Sequence, residues 1–245
     1  MTATLDRATF VAAAERRATR AVTVNTVASA WWVGGWFWVI YVLVLAVLTV
    51  VFVAVDEAGA RSASGSFGAP WVFVFVMGIV LTSQTATLHL VAGGTRRTFL
   101  RGGRWSAVGV GVTFGIASWA LLVLRDTVVR LLGHEVAPVD GVLDAAGSGL
   151  WLALLVHVVA SVALFATGAL VGLAFRRLGG WFGTLALPLT LLPGGLALWA
   201  FERAAVDGST APDARAWLVV LVGGVAATLA AWWGAWLVGR DAPVR

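Results

Sequence analysis

The stretch Leu150–Phe175, LWLALLVHVVASVALFATGALVGLAF, carries no Asp, Glu, Lys or Arg from end to end. A helix rises about 1.5 Å per residue, so roughly 20 residues cross a hydrocarbon core of about 30 Å, and this stretch is long enough to do so. Its neighbours repeat the pattern. Apolar runs of similar length occupy residues 34–55, 70–92, 105–124, 181–201 and 216–238. The chain of 245 residues is 60% hydrophobic and 12% charged, with a mean hydropathy of +0.92. A water-soluble fold would leave far too much apolar surface exposed. The sequence therefore predicts an all-α membrane protein of six transmembrane helices. Residues 1–33 form a lead-in, 34–238 a single membrane domain and 239–245 a tail. The connections are too short to hold an inserted soluble domain.

Orientation follows from arginine. All 17 basic residues are Arg, and with abundant Ala, Gly and Val this usage points to a GC-rich, actinobacterial-type genome. Arg7, Arg16, Arg17 and Arg20, then Arg96, Arg97, Arg101 and Arg104, then Arg176 and Arg177, then Arg240 and Arg245 fall on one side of the predicted spans. Arg61, Arg125, Arg130, Arg203 and Arg215 fall on the other, together with most of the acids. Arginine-rich loops stay inside, so both termini are expected in the cytoplasm of a bacterial plasma membrane. The tryptophans give the same span ends. Trp71, Trp119, Trp151, Trp199 and Trp217 mark one interface, whereas Trp31, Trp32, Trp36, Trp38, Trp105, Trp181, Trp232, Trp233 and Trp236 mark the other. The first apolar run is too long for a signal h-region and follows a segment containing Asp6 and Glu15, so it is expected to remain as a span. With no Cys there is neither a disulfide framework nor a thiolate metal site.

The predicted spans contain no formal charge, which argues against an ion-driven antiporter. Their titratable groups are His89 and His157. In the second span Gly78, Thr82, Thr85 and His89 share one face, beside Ser83, Gln84 and Thr87. In the fourth, His157 and Ser161 align with the small-residue pair Gly168 and Gly172; Gly111 and Gly115 make a similar pair in the third. Thr82, Gln84, Thr85, His89, His157 and Ser161 are candidates either for lining a substrate path or for bonding one helix to another. Pro188, Pro193 and Gly194 interrupt the fifth span, as a gate or as a static kink.

Catalytic signatures are missing: no phosphate loop, no His-Glu-x-x-His, no Gly-x-Ser-x-Gly. His134, Glu135, Asp140 and Asp144 cluster in a loop but match no metal-ligand spacing, and read as a solvated acidic segment. No catalytic or metal-binding residue is assigned.

Two segments near the inner face remain. Leu5–Arg20 can form an amphipathic helix lying in the interface ahead of the first span. Gly93-Gly94-Thr95-Arg96-Arg97-Thr98-Phe99-Leu100-Arg101-Gly102 begins with helix-ending glycines, continues with a capping Thr95, and then alternates Arg with Phe and Leu in a short helix before the third span. This segment resembles the G-x-T/S-R-R-x-F stretch between the second and third spans of small ABC-2 type transporter permeases, the six-span membrane subunits of ATP-binding-cassette exporters. The layout of cytoplasmic termini, amphipathic lead-in and short loops is similar as well. In that family the segment is a coupling helix seated in a groove of a separate ATPase. The resemblance implies that Thr95, Arg96, Arg97, Phe99, Leu100 and Arg101 couple to a cytoplasmic ATPase dimer that holds the ATP and Mg. Phe99 and Leu100 would be the apolar plug and the arginines would meet acidic groups. It also implies a second permease chain, identical or related, a hydrophobic or amphipathic cargo, and no nucleic acid. The chain departs from larger members in its short connection 202–215. Two other readings stay open: a non-transporting sensor, resistance or assembly factor that recruits a cytoplasmic partner, and a membrane enzyme acting on lipid.

Overall fold

The computed structural model describes residues 7–55, 68–133, 149–206 and 214–240. Among them are six helices and no strand: α1 (Arg7–Val55), α2 (Ala69–Val91), α3 (Arg96–Leu131), α4 (Leu150–Leu185), α5 (Leu187–Val206) and α6 (Ala214–Gly239). Five of these, all but α5, are long and apolar enough to cross a membrane. The chain is a multi-pass helical membrane protein.

The helices alternate in direction. Val22 of α1 meets Gly102 of α3, and Trp31 Nε1 donates to Thr113 Oγ1 at 2.9 Å, so α1 and α3 run parallel. Trp119 of α3 donates to the Leu150 carbonyl at 3.0 Å, which sets α3 antiparallel to α4. Gly194 of α5 packs on Leu164 and Thr167, while Phe201 and Val156 share one core cluster, so α5 returns antiparallel to α4. Gly224 of α6 meets Val159 and Gly234 meets Leu170, which makes α6 parallel to α4.

α4 is the hub, packing against α2, α3, α5 and α6. The most apolar part of α4 is 67% buried, against 17% for α1, which is the peripheral helix and leans mainly on α3. The seams are closed by backbone contact. A Cβ added to Gly78 would lie 2.4 Å from the Phe165 carbonyl oxygen, and one added to Gly111 would lie 2.5 Å from Val162 Cα. Without a hydrophobic driving force between helices in lipid, such close approach supplies the attraction. The small-residue pairs thus pack helices of the same chain together.

Three expectations about helix boundaries need correction. The lead-in is not a separate interfacial helix, because α1 runs without a break through 49 residues, about 74 Å at 1.5 Å per residue. Nothing between Arg20 and Gly34 stops a helix, and Val22, Thr26 and Ala30 continue one buried stripe into the span. Likewise the segment after Thr95 is not a short independent helix. It is the first turns of α3, which continues through Gly102 and Gly103, with Val22 of α1 packed on Gly102. The irregularities fall just before the predicted fifth span, at Gly179 (φ +77°, ψ 179°), where α4 kinks, and within it at the turn residue Ala186. Pro188 sits in the first turn of α5, where a missing N–H costs nothing, and α5 stays helical through Pro193 and Gly194.

Candidate functional site at the arginine-rich end

α2 stops because Gly93 adopts φ +84°, a conformation open to glycine, and the Gly94 N–H then bonds back to the His89 carbonyl at 2.9 Å. Thr95 starts α3 with a capping box: its hydroxyl accepts from the Thr98 N–H at 3.2 Å, and Thr98 Oγ1 accepts from the Thr95 N–H at 3.2 Å. His89 Nε2 lies 2.9 Å from Thr98 Oγ1. Since the Thr98 hydroxyl already donates to the Thr95 carbonyl at 2.8 Å, it accepts from Nε2–H. A Cβ at Gly94 would lie 2.2 Å from His89 Nε2, so the second glycine makes room for the ring. His89 is therefore a strut between α2 and α3.

Phe99 corrects the sequence reading of this segment. It is 6% exposed and packs in one cluster with Val22, Ala86, Leu170, Leu173 and Ala235, from α1, α2, α4 and α6. The residue expected to plug a partner's groove instead anchors the turn to the protein's own core, because the α3 turn that presents Arg97 and Arg101 outward turns Thr98 and Phe99 inward. Leu100 is half-buried against Gly239 of α6. Arg97, Arg101 and Arg104 are exposed.

Arginines from four separate segments gather at this end. Arg96 donates to the Arg240 carbonyl at 3.0 Å, and Arg177 to the Leu237 carbonyl at 2.9 Å, tying α3 and α4 to the last turn of α6. Arg16 and Arg20 line a groove of about 510 Å³ with Arg101 and Trp105. On the other flank of α3, Arg96, Arg97, Arg101, Arg104 and Arg240 border a cleft of about 410 Å³ whose remaining walls are Leu100 and Trp236. The opposite end of α3 carries a buried Arg125–Asp126 ion pair at 3.1 Å.

The intramembrane candidates do not converge on one chamber. Arg176, which sequence reading treated only as a topology marker, donates to the Ser83 carbonyl at 3.1 Å and to the Thr87 hydroxyl. Part of the polar face of α2 is thereby occupied by an arginine from α4. Thr82 borders a narrow, partly open pocket of about 30 Å³ that reaches Arg104 and Trp236, room for about one water. Thr85 is half-buried and Gln84 is exposed at the bundle surface. His157 is 2% exposed, with Nδ1 2.8 Å from the Ala153 carbonyl and its ring beside Trp71. The Ser161 hydroxyl is buried one turn along. Pro188 is exposed, whereas Pro193 and Gly194 are buried against α4. Sequence reasoning missed Arg104, Arg240 and Trp236 as members of the site; clustering of Arg at one end was the signal that held them.

The acidic loop with His134, Glu135, Asp140 and Asp144 lies outside the described residues. Among the described residues no group of three His, Cys, Asp or Glu side chains is placed to hold a metal. Comparison with protein-family models, with curated proteins and with solved structures finds no match. What the geometry offers chemically is anion recognition: a rim of guanidinium groups, with Arg96 and Arg177 tied to the end of α6, at one end of a helical bundle.

Proposed function

We propose that this chain is the membrane subunit of an export complex in a bacterial plasma membrane, driven by a cytoplasmic ATP-binding-cassette ATPase that docks at the arginine-rich end. One observation carries the reading: the turn from α2 to α3 is mechanically joined to the rest of the bundle. His89 ties it to α2, and Phe99 seats it among α1, α2, α4 and α6. A force applied at Arg97 or Arg101 reaches these helices with no flexible linker between. The sequence holds no phosphate loop, so ATP and Mg belong to the partner. Exposed arginines suit acidic groups on such a partner and set its approach. In this reading the six helices are six spans with both termini in the cytoplasm.

The path for cargo lies beside this bundle and is completed by a second copy. The α2–α4 and α3–α4 seams are in backbone contact, and the cavity at Thr82 is too small for cargo. Gln84, by contrast, is exposed on a face of α2 shared with Val80, Leu88 and Val91. A lone amide against lipid is costly, and protein or water between two copies satisfies it. An uncharged path of this kind suits a hydrophobic or amphipathic cargo.

The test is co-purification. Tagged protein extracted in mild detergent is expected to carry an ATPase, and Arg97→Glu with Arg101→Glu is expected to release it while the bundle stays folded. Failure to recover any ATPase, or an ATPase retained unchanged by the double charge reversal, contradicts the proposal. The closed seams also suit a second reading, a non-transporting membrane receptor that recruits a cytoplasmic protein. Arginine-dependent capture of a protein without ATPase activity selects that reading.

A further inference from the structure

We propose that the cleft between α3 and α6 is a binding site for the headgroup phosphate of an anionic phospholipid. Arg96, Arg97, Arg101 and Arg104 come from α3 and Arg240 follows α6, and among the described residues no acidic side chain lines the cleft. The four guanidinium groups of α3 around about 410 Å³ repel one another and give this side of the bundle a positive potential that favours an anion. One edge of the site is held in place: Arg96 donates to the Arg240 carbonyl at 3.0 Å, and the Arg240 guanidinium lies 5.0 Å from the centre of the Trp236 ring. Planar guanidinium groups match phosphate oxygens two bonds at a time.

The walls select a lipid over a soluble anion. Leu100 and Trp236 supply an apolar side to the cleft, and Trp236 is 41% exposed on the outside of the bundle. Trp105 and Trp233, both exposed, mark the same level on α3 and α6, where indoles sit at a membrane interface. Beyond them α3 carries no charge until Arg125, about 30 Å further along the helix. A phosphate in the cleft therefore has its acyl chains directed down an apolar helix surface. Basic pockets between spans, at the level of an anionic leaflet, bind headgroups in this way. The proposal does not depend on the ATPase, because it concerns the isolated chain.

The experiment uses the full-length chain in neutral detergent, studied by native mass spectrometry after addition of phosphatidylglycerol, phosphatidylcholine or inorganic phosphate at equal concentration. Phosphatidylglycerol is expected to remain bound, and phosphatidylcholine and inorganic phosphate to dissociate. Arg97→Gln with Arg104→Gln is expected to weaken phosphatidylglycerol binding about tenfold or more. Arg203→Gln, at the opposite end of the bundle, is the control and is expected to leave binding unchanged. Elution of each variant at the wild-type size confirms that it is folded. Equal retention of the two lipids, an equal loss with Arg203→Gln, or inorganic phosphate binding as tight as phosphatidylglycerol overturns the proposal. So does an acidic protein that co-purifies through these arginines from a chain that holds no lipid.

Discussion

His89 Nε2 and Thr98 Oγ1 lie 2.9 Å apart across the turn that joins α2 to α3. This contact locks the arginine-bearing start of α3 to the end of a membrane-spanning helix. It also gives Thr98 two tasks, completing the cap of α3 and receiving the imidazole.

Thr98→Ala removes both and is expected to cost about 1–2 kcal/mol, the range for a lost cap with a buried donor left unmatched. Thr98→Ser keeps the hydroxyl and is expected to stay near wild type. Thermal unfolding in detergent checks this, with a drop of about 2–4 °C for each kcal/mol in a protein of this size. In a His89→Leu background the Thr98→Ala change costs less; equal cost in both backgrounds would show that the strut contributes nothing.

Gly168→Ala is expected to disrupt the α2–α4 seam, since a Cβ there would meet the Phe75 carbonyl oxygen at 2.1 Å, a backbone atom that cannot swing aside. Gly195→Ala meets nothing within 4 Å and is expected to be neutral or slightly stabilising in the helix. The yield of monodisperse protein after solubilisation compares the two. Equal yields would place the helix crossing elsewhere.

Gln84→Leu leaves the interior untouched because Gln84 faces outward. If this amide bonds to a second copy, its loss weakens association by about 0.6 kcal/mol for each hydrogen bond, a typical interhelical value in membranes. Förster transfer between labelled chains in liposomes, titrated against lipid-to-protein ratio, reads the shift. An unchanged dimer fraction would remove Gln84 from the interface.

Arg176→Leu removes the partner of the Thr87 hydroxyl and a second donor to the Ser83 carbonyl, which keeps its helical bond, and is expected to lower stability by about 1 kcal/mol. Arg177→Leu removes exposed bonds to the Leu237 and Val238 carbonyls, which water can replace, and is expected to cost less. The ranking of the two midpoints of thermal unfolding is the observable.

Much of this fold was legible because crossing a bilayer demands long uncharged runs, and Leu150–Phe175 or Trp105–Leu124 can be read in no other way. The gathering of arginines at one end was legible for a similar reason, since each charged cluster interrupts an apolar run. Helix ends inside the arginine-rich zone were not. Arg, Thr and Ala continue a helix readily, so neither Arg20 nor Arg104 marks a boundary, and Gly102 lies inside a helix at the point where Val22 of α1 packs on it. The inward turn of Phe99 depends on which side of α3 meets Leu170 and Ala235, distant in sequence. The bond from Arg176 to Thr87 spans 89 residues, beyond any local pattern. Pro188 and Pro193 drew attention as breakers, yet the positive φ at Gly179 is where the chain bends.

The proposed function requires the arginine-rich end to face the cytoplasm, where ATP is available. The chain has no native Cys, so a single introduced thiol reports its own side of the membrane. Ala92→Cys, exposed beside the α2–α3 turn, and Leu132→Cys, exposed beyond the other end of α3, are treated in intact cells with a membrane-impermeant maleimide. The account predicts labelling of Leu132→Cys in intact cells and of Ala92→Cys only after lysis. Labelling of Ala92→Cys from outside, with Leu132→Cys protected, would contradict it.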